Sequence, residues 1–327
     1  MPVELDDLTP LFRQLRALAW QQHRERLSIA DRQLMLTAST MSEALRARRQ
    51  IRHLSDVEFQ VFSQMGEDGI IEWLIQNLPI RSESFVEFGV EDYKESNTRY
   101  LLRHRNWKGF VIDASIQNVE EITKDSIFWR HSLIAKSYFI DRENINDILK
   151  ESGFNEDIGL LSIDIDGNDY WVFDAIETVK PDIVICEYNA VFGDLHAVTV
   201  PYDPAFQRRI AHPSWLYFGA SIRALEMAAA RKGYVLLGSN LAGHNAFFVR
   251  GDLASTLSIE DRRARPSLIR ESRDEDGALS YADGLDRAAL IRDMPVLDLE
   301  TGQTVALGSF GALYGPDWHA RIASPKS

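Results

Sequence analysis

Leu160-Leu161-Ser162-Ile163-Asp164-Ile165-Asp166-Gly167-Asn168-Asp169-Tyr170-Trp171 is the stretch on which the fold reading turns. It begins as an apolar run of strand character. It then releases three carboxylates, Asp164, Asp166 and Asp169, and turns through Gly167 into a helical pattern. A buried strand that spills acids at its C-terminal end marks where an open α/β sheet places its chemistry.

Working outward, Ser84 to Gly89, Gly109 to Asp113 and Asp182 to Glu187 read as further short strands, with a weaker one over Ser132 to Ile140. Helical spacing fills intervals between them: Asn97 to Arg105, about Asp141 to Glu151, and Tyr170 to Val179. Continuously apolar strands alternating with amphipathic helices predict a parallel sheet covered on both faces. A segment of about thirty residues, Tyr188 to Phe218, then breaks the rhythm, and long loops in compact domains are usually functional. Its rings, Tyr188, Phe192, Tyr202, Trp215 and Tyr217, are expected to wall an acceptor site. A helix over Ala220 to Lys232 closes at Gly233. Tyr234 to Gly238 and Ala246 to Arg250 then predict a terminal antiparallel hairpin.

The chain divides into a helical N-terminal extension (1–56), a catalytic domain (57–250) and a C-terminal appendage (251–327). The extension predicts two helices. One presents Leu11, Leu15, Leu18 and Trp20, and the other runs from about Ala30 to Ile51. They are candidates for a homo-oligomer contact, and the arginines after Leu45 for a solvated face or an anion contact. Ser63 reads as an N-cap for a helix containing Gly66, Glu67, Asp68 and Gly69. Two glycines beside two acids place that segment over the entrance of a ligand site. The appendage reads as partly loose, with a short hairpin around Val296 to Leu307.

Composition bounds the function. The 327 residues carry a net charge of −13, with 45% hydrophobic and 26% charged residues, which is globular. The acidic balance disfavours a nucleic-acid backbone or an anionic membrane as main partner. Cys186 is the single cysteine, so no disulfide framework exists. No apolar run approaches the ~20 residues of a membrane span. The acidic N-terminus lacks a signal-peptide pattern, and a cytoplasmic protein is expected.

Gly89 follows the first strand, where backbone meets a cofactor closely. The G-x-G-x-x-G fingerprint is absent, and Glu87, Glu91 and Asp92 would repel a pyrophosphate. A cationic ligand suits them better. Asp113 closes the second strand at the position of a ribose-binding acid. Asp164 and Asp166 end the fourth strand, and Glu187-Tyr188-Asn189 the fifth. Neighbouring strands lie about 5 Å apart, so these oxygens converge. Carboxylates plus an amide oxygen suit a hard divalent cation, which would lower the pKa of a bound hydroxyl. Asp166, Asp169 and His244 are the candidate bases, with His196 and His212 in the long loop as further histidines.

Several motifs together resemble the FkbM-related methyltransferases. They are Ser63-Gln64-x-Gly66-Glu67-Asp68-Gly69, Glu87-Phe88-Gly89-Val90, Glu95-Ser96-Asn97-Thr98, Ser162 to Trp171, Glu187-Tyr188-Asn189, Tyr217-Phe218-Gly219-Ala220-Ser221 and Gly243-x-Asn245-Ala246-Phe247-Phe248-Val249. The resemblance spans roughly residues 60–250. It implies a Rossmann-like α/β fold with a seven-stranded methyltransferase sheet, five parallel strands plus the terminal hairpin. It also implies methyl transfer from S-adenosylmethionine to a hydroxyl of a sugar, glycan or natural-product acceptor, in metal-assisted (Mg²⁺) or metal-free form. Glu87, Gly89, Asp113 and Asp164 then form the cofactor set, and Asp164, Asp166, Glu187 and Asn189 the metal set. The competing expectation is a non-catalytic nucleotide- or glycan-binding scaffold on the same fold.

Overall fold

The computed structural model describes residues 5–323; the side chains of residues 5–11, 23–24 and 27–28 fall outside the description. A seven-stranded sheet forms the centre. Its strands are β1 (Ser84–Phe88), β2 (Lys108–Asp113), β3 (Leu133–Ser137), β4 (Asp157–Ile163), β5 (Lys180–Glu187), β6 (Tyr234–Ser239) and β7 (Asn245–Arg250). They lie in the order β3-β2-β1-β4-β5-β7-β6. The first five are parallel, and β7 inserts antiparallel between β5 and β6. The expected sheet is the observed one.

Period-2 alternation explains why apolar residues occupy both sets of positions in these strands. Val86, Leu161 and Val184 enter one core layer, while their neighbours Phe85, Leu160 and Ile183 enter the other. Both faces are covered, so neither set of positions tolerates polar residues. Each such side chain contributes about 1.5–3 kcal/mol of burial.

The helices up to β6 are α1 (Leu5–Leu45), α2 (Glu67–Asn77), α3 (Arg99–Arg105), α4 (Ile116–Lys124), α5 (Ser126–Arg130), α6 (Ile145–Lys150), α7 (Asp169–Ala175), the single turn α8 (Arg208–Ala211) and α9 (Ile222–Arg231). Helices α4 and α5 fill an interval that the sequence reading left blank. Two N-terminal helices were expected, and one 41-residue helix is found. No proline or glycine lies between Leu11 and Leu45 to break it. Its C-terminal half is anchored on the sheet domain. Asp31 pairs with both Nη atoms of Arg103 at 2.6 Å, and buried Ser42 meets Glu72 of α2. Phe12, Leu15 and Leu18 stay exposed; the Leu11 side chain and residues 1–4 lie outside what is described.

Ser63 does not cap α2. Gly66 holds that position at φ +97°, and Ser63 Oγ accepts the Asp68 N–H. Asp68 gathers the N–H groups of Val61, Phe62 and Ser63, which stitches this loop onto the helix. Gly69 is required because a Cβ would meet Val57 O at 2.2 Å.

The C-terminal segment is docked rather than loose. β8 (Pro295–Asp298) and β9 (Gln303–Ala306) form the expected hairpin, and β8 also pairs with Val198–Thr199 of the long loop. Ile291, Val296, Leu307 and Trp318 are buried in the main core.

Candidate active site

The C-terminal ends of β1, β2, β4 and β5 open into one cavity of about 740 Å³. It sits where the chain order reverses between β1 and β4, the place an open α/β sheet offers a ligand. Gly89, Asp113, Asp164 and Glu187 line it from the four strand ends. Gln64 lines it from the Ser63–Gly69 region.

Gly89 has φ +73°, and a Cβ there would lie 1.6 Å from the Asp164 carbonyl oxygen. Its glycine is fixed by the touching backbones of the two central strands. Asp113 accepts the Glu91 N–H on Oδ2 (2.8 Å) and the Ser115 N–H and Asn118 amide on Oδ1 (2.8 and 2.9 Å). These bonds fix its carboxylate at the cavity wall. Glu87 differs from expectation. Its two oxygens accept from Asn97 N, Thr98 N and Thr98 Oγ1, so it holds the loop entering α3. Burial pushes its carboxyl up to about 7 despite those bonds.

β4 ends at Ile163, and Asp166 adopts φ +56°, so both acids sit on the turn that leaves the strand rather than in it. Oxygens of Asp164, Asp166 and Glu187 come within 4.8 Å of one another. Burial and the neighbouring Asp166 and Asp169 charges raise the Asp164 carboxyl far above the usual carboxylate range. Burial and the Asp164 and Asp166 charges do the same to Glu187. Glu187 Oε2 is buried and has no hydrogen-bond partner in the protein.

Two members of the expected set are elsewhere. Asn189 gives its amide N–H groups to the Leu216 and Phe218 carbonyls and accepts from Val191 N, so it organises the long loop. Asp169 is fully buried at the start of α7 and accepts from Ile165 N and Gly167 N. It shapes the turn after β4 and leaves no oxygen for the cavity. Burial lifts its carboxyl to about 6. His244 does line the cavity, with Nε2 3.0 Å from Ser267 Oγ. Burial lowers its pKa, which keeps the imidazole neutral at pH 7.

The expected aromatic wall is also corrected. Tyr188, Phe192 and Tyr217 are core residues, and Tyr202 packs on Trp171 and Arg142. Phe206 lines the cavity instead, seated against Gly167, where a Cβ would strike its ring at 2.2 Å.

The sequence reading passed over Arg208. It reaches in from α8 and donates to Asp166 Oδ1 (2.8 Å), Glu271 Oε1 (3.0 Å) and Trp215 O (2.6 Å), with its guanidinium 3.8 Å over Phe218. Burial opposes its charge, but Glu187, Asp166 and Glu271 outweigh it and hold the guanidinium protonated. Asn168 and Asn245 were also given no role. Each donates its amide N–H, to Asp203 O and to Glu67, and keeps a buried Oδ1 without a partner at the cavity wall. The adjacent Arg208-Arg209 pair in an aromatic loop was the available signal for the first. Nothing local distinguishes the asparagines.

The family model described as the methyltransferase FkbM domain matches residues 47–210. Among curated proteins, none matches the chain. Similar solved structures include an S-adenosylmethionine-dependent methyltransferase from Clostridium acetobutylicum ATCC 824, at 11% identity and TM-score 0.35, over 57% of this chain and 90% of that one. Another is the CurJ carbon methyltransferase, at 12% identity and TM-score 0.34, over 56% and 52%. A third is human N-acetylserotonin methyltransferase in complex with SAM, at 11% identity and TM-score 0.32, over 57% and 56%.

Proposed function

The chain belongs to the FkbM methyltransferase family, and from that premise we propose that it transfers a methyl group from S-adenosylmethionine to a hydroxyl of a sugar, glycan or natural-product acceptor. The observation that carries the oxygen acceptor is the buried, unpartnered Glu187 Oε2 beside Asp164, on carboxyls held well above their usual range. A carboxylate raised toward neutrality is a competent acceptor for a hydroxyl proton.

In this reading the cofactor lies over Gly89, with its ribose at Asp113. The acidic rim formed by Glu91 and Asp164 suits a sulfonium bearing an amino group. Transfer is an in-line displacement: the acceptor oxygen forms the new bond to the methyl carbon as the sulfur–carbon bond breaks. The protein supplies positioning and a place for the proton. Glu187 or Asp164 takes that proton directly, and His244 is the alternative base on the far wall. Arg208 keeps the cluster from accumulating uncompensated charge.

A second reading is favoured by the 4.8 Å convergence of three carboxylates. Asp164, Asp166 and Glu187 fit the hard oxygen donors a divalent cation requires. Bound there, Mg²⁺ would lower the pKa of the acceptor hydroxyl. Arg208 already supplies a positive charge at Asp166, which favours the metal-free form.

Calorimetric titration with S-adenosylmethionine, with and without Mg²⁺, tests both. Binding in the micromolar range is expected. No binding at millimolar cofactor would point to a non-catalytic scaffold, and activity lost to EDTA and restored by Mg²⁺ would establish the metal form.

The proposed domain division is 1–56, 57–250 and 251–327. The exposed side of α1 is the proposed contact for a homo-oligomer. No helix among the described residues is long and apolar enough to cross a membrane.

A further inference from the structure

Trp215, on the loop that follows the cavity-lining Arg208 and Arg209, adopts a left-handed conformation, φ +58°. A bulky residue there is an outlier that persists only when its surroundings hold it. Three arginines do so. Arg208 Nε donates to the Trp215 carbonyl, while the guanidinium carbons of Arg209 and Arg273 each lie 4.8 Å from the centroid of its ring. The contact brings two distant segments together, because the Arg273 backbone N–H donates to Ser214 O at 3.1 Å.

Arg209 and Arg273 differ in their partners from the arginine that precedes them at the cavity. Arg208 takes Asp166 and Glu271, and Arg263 takes Asp261 and Asp317. Among the described residues neither Arg209 nor Arg273 makes an ion pair, and Arg273 Nε is buried without a hydrogen-bond partner. Asp274, next to Arg273 in the chain, accepts from the Asp276 and Ala278 N–H groups instead, and Glu271 is held by Arg208. Arg209 lines the same cavity as the acid cluster.

We propose that Arg209 and Arg273, backed by Trp215, form an oxyanion subsite for the acceptor, so that the substrate carries a phosphate or carboxylate group beyond the hydroxyl that is methylated. Guanidinium groups match both anions through paired N–H donors. Stacking on an indole fixes the guanidinium planes and lowers the ordering cost of binding. The acceptor is then bipolar in its demands: its hydroxyl meets the carboxyls at the strand ends, and its anion meets the arginines at the rim. Neutral acceptors would lack the second anchor. This inference rests on the methyl-transfer reading for the role of the cavity, and on the arginine geometry for the anion.

The test is calorimetric titration of the full chain with pyrophosphate and, separately, with succinate, in wild type and in R209Q/R273Q. Wild type is expected to bind at least one of the two saturably in the millimolar range, and the double variant at least tenfold more weakly. Tighter binding of pyrophosphate names a phosphorylated acceptor, and tighter binding of succinate a carboxylated one. Equal affinities in wild type and variant, or no saturable binding of either anion, would overturn the subsite. S-adenosylmethionine affinity is measured on the same samples and should be unchanged. Should the double variant lose it, the exposed single change R209Q decides the matter, with at least a threefold loss of anion affinity expected. Failure of the cofactor to bind wild type would sink the methyl-transfer reading and leave the anion result standing.

Discussion

Arg208 Nη1 lies 2.8 Å from Asp166 Oδ1, while its Nη2 reaches Glu271 Oε1 at 3.0 Å. One largely buried cation therefore ties the strand-end acids to the C-terminal segment. Removing it as Arg208→Ala leaves Glu187 and Asp166 uncompensated. The expected cost is about 3 kcal/mol, the low end for a broken buried pair because Asp166 itself is exposed. The loss should grow as pH rises, since the raised carboxyls ionise and repel more strongly. Chemical denaturation near pH 5.5 and pH 8 measures it. A loss that is equal at both pH values would show that Arg208 does not counter these acids.

Glu187→Gln and Asp164→Asn separate chemistry from fold. Each removes a proton acceptor from the cavity, and methyl transfer should fall by about 10²–10⁴. Stability should hold or rise, because a buried carboxyl that repels its neighbours when ionised has gone. Turnover of labelled cofactor on an acceptor used by wild type is the assay, beside thermal unfolding. Near-normal turnover in both variants would move the base to His244.

Glu87 sets a pH dependence of stability. Its carboxyl is raised from 4.5 to about 7 by burial. The folded state therefore holds a proton that the unfolded state loses first. The stabilisation is complete below the unfolded value and disappears as pH rises through about 7, with a slope approaching 1.4 kcal/mol per pH unit between the two. Glu87→Gln should flatten that interval, at a fixed cost of about 1–3 kcal/mol for the mismatched hydrogen bonds to Asn97 and Thr98. Unfolding free energies across pH 4.5 to 8 provide the comparison.

Gly89→Ala places a methyl against the Asp164 carbonyl and demands a left-handed alanine. The strain alone is about 1–3 kcal/mol, and the clash must push β1 and β4 apart. Both a lowered melting temperature and lost S-adenosylmethionine affinity are expected. A variant that binds cofactor normally would place the cofactor away from this strand end.

Helix α1 leaves Phe12, Leu15 and Leu18 more than half exposed. Deleting residues 1–30 removes these but spares Asp31 and the Ser42–Glu72 anchor. Light scattering should report a smaller assembly with an unchanged melting temperature. An unchanged molar mass would remove α1 from any oligomer contact.

The sequence alone determined the sheet. Strands covered on both faces are mostly apolar at successive positions, and that signal is local, so β1, β2, β4, β5 and the terminal hairpin could be read directly. It also named the acids at the strand ends, because strand termini are fixed by the same pattern. What it could not determine is which polar atoms are free. Asp164 and Asp166 meet Glu187 from a strand end about twenty residues away, Asn189 and Asp169 are consumed by backbone N–H groups, and Arg208 and Glu271 meet across sixty-three residues of sequence. Hydrogen-bond partnership is settled by neighbours distant in the chain, and only the packed tertiary structure brings those neighbours within reach.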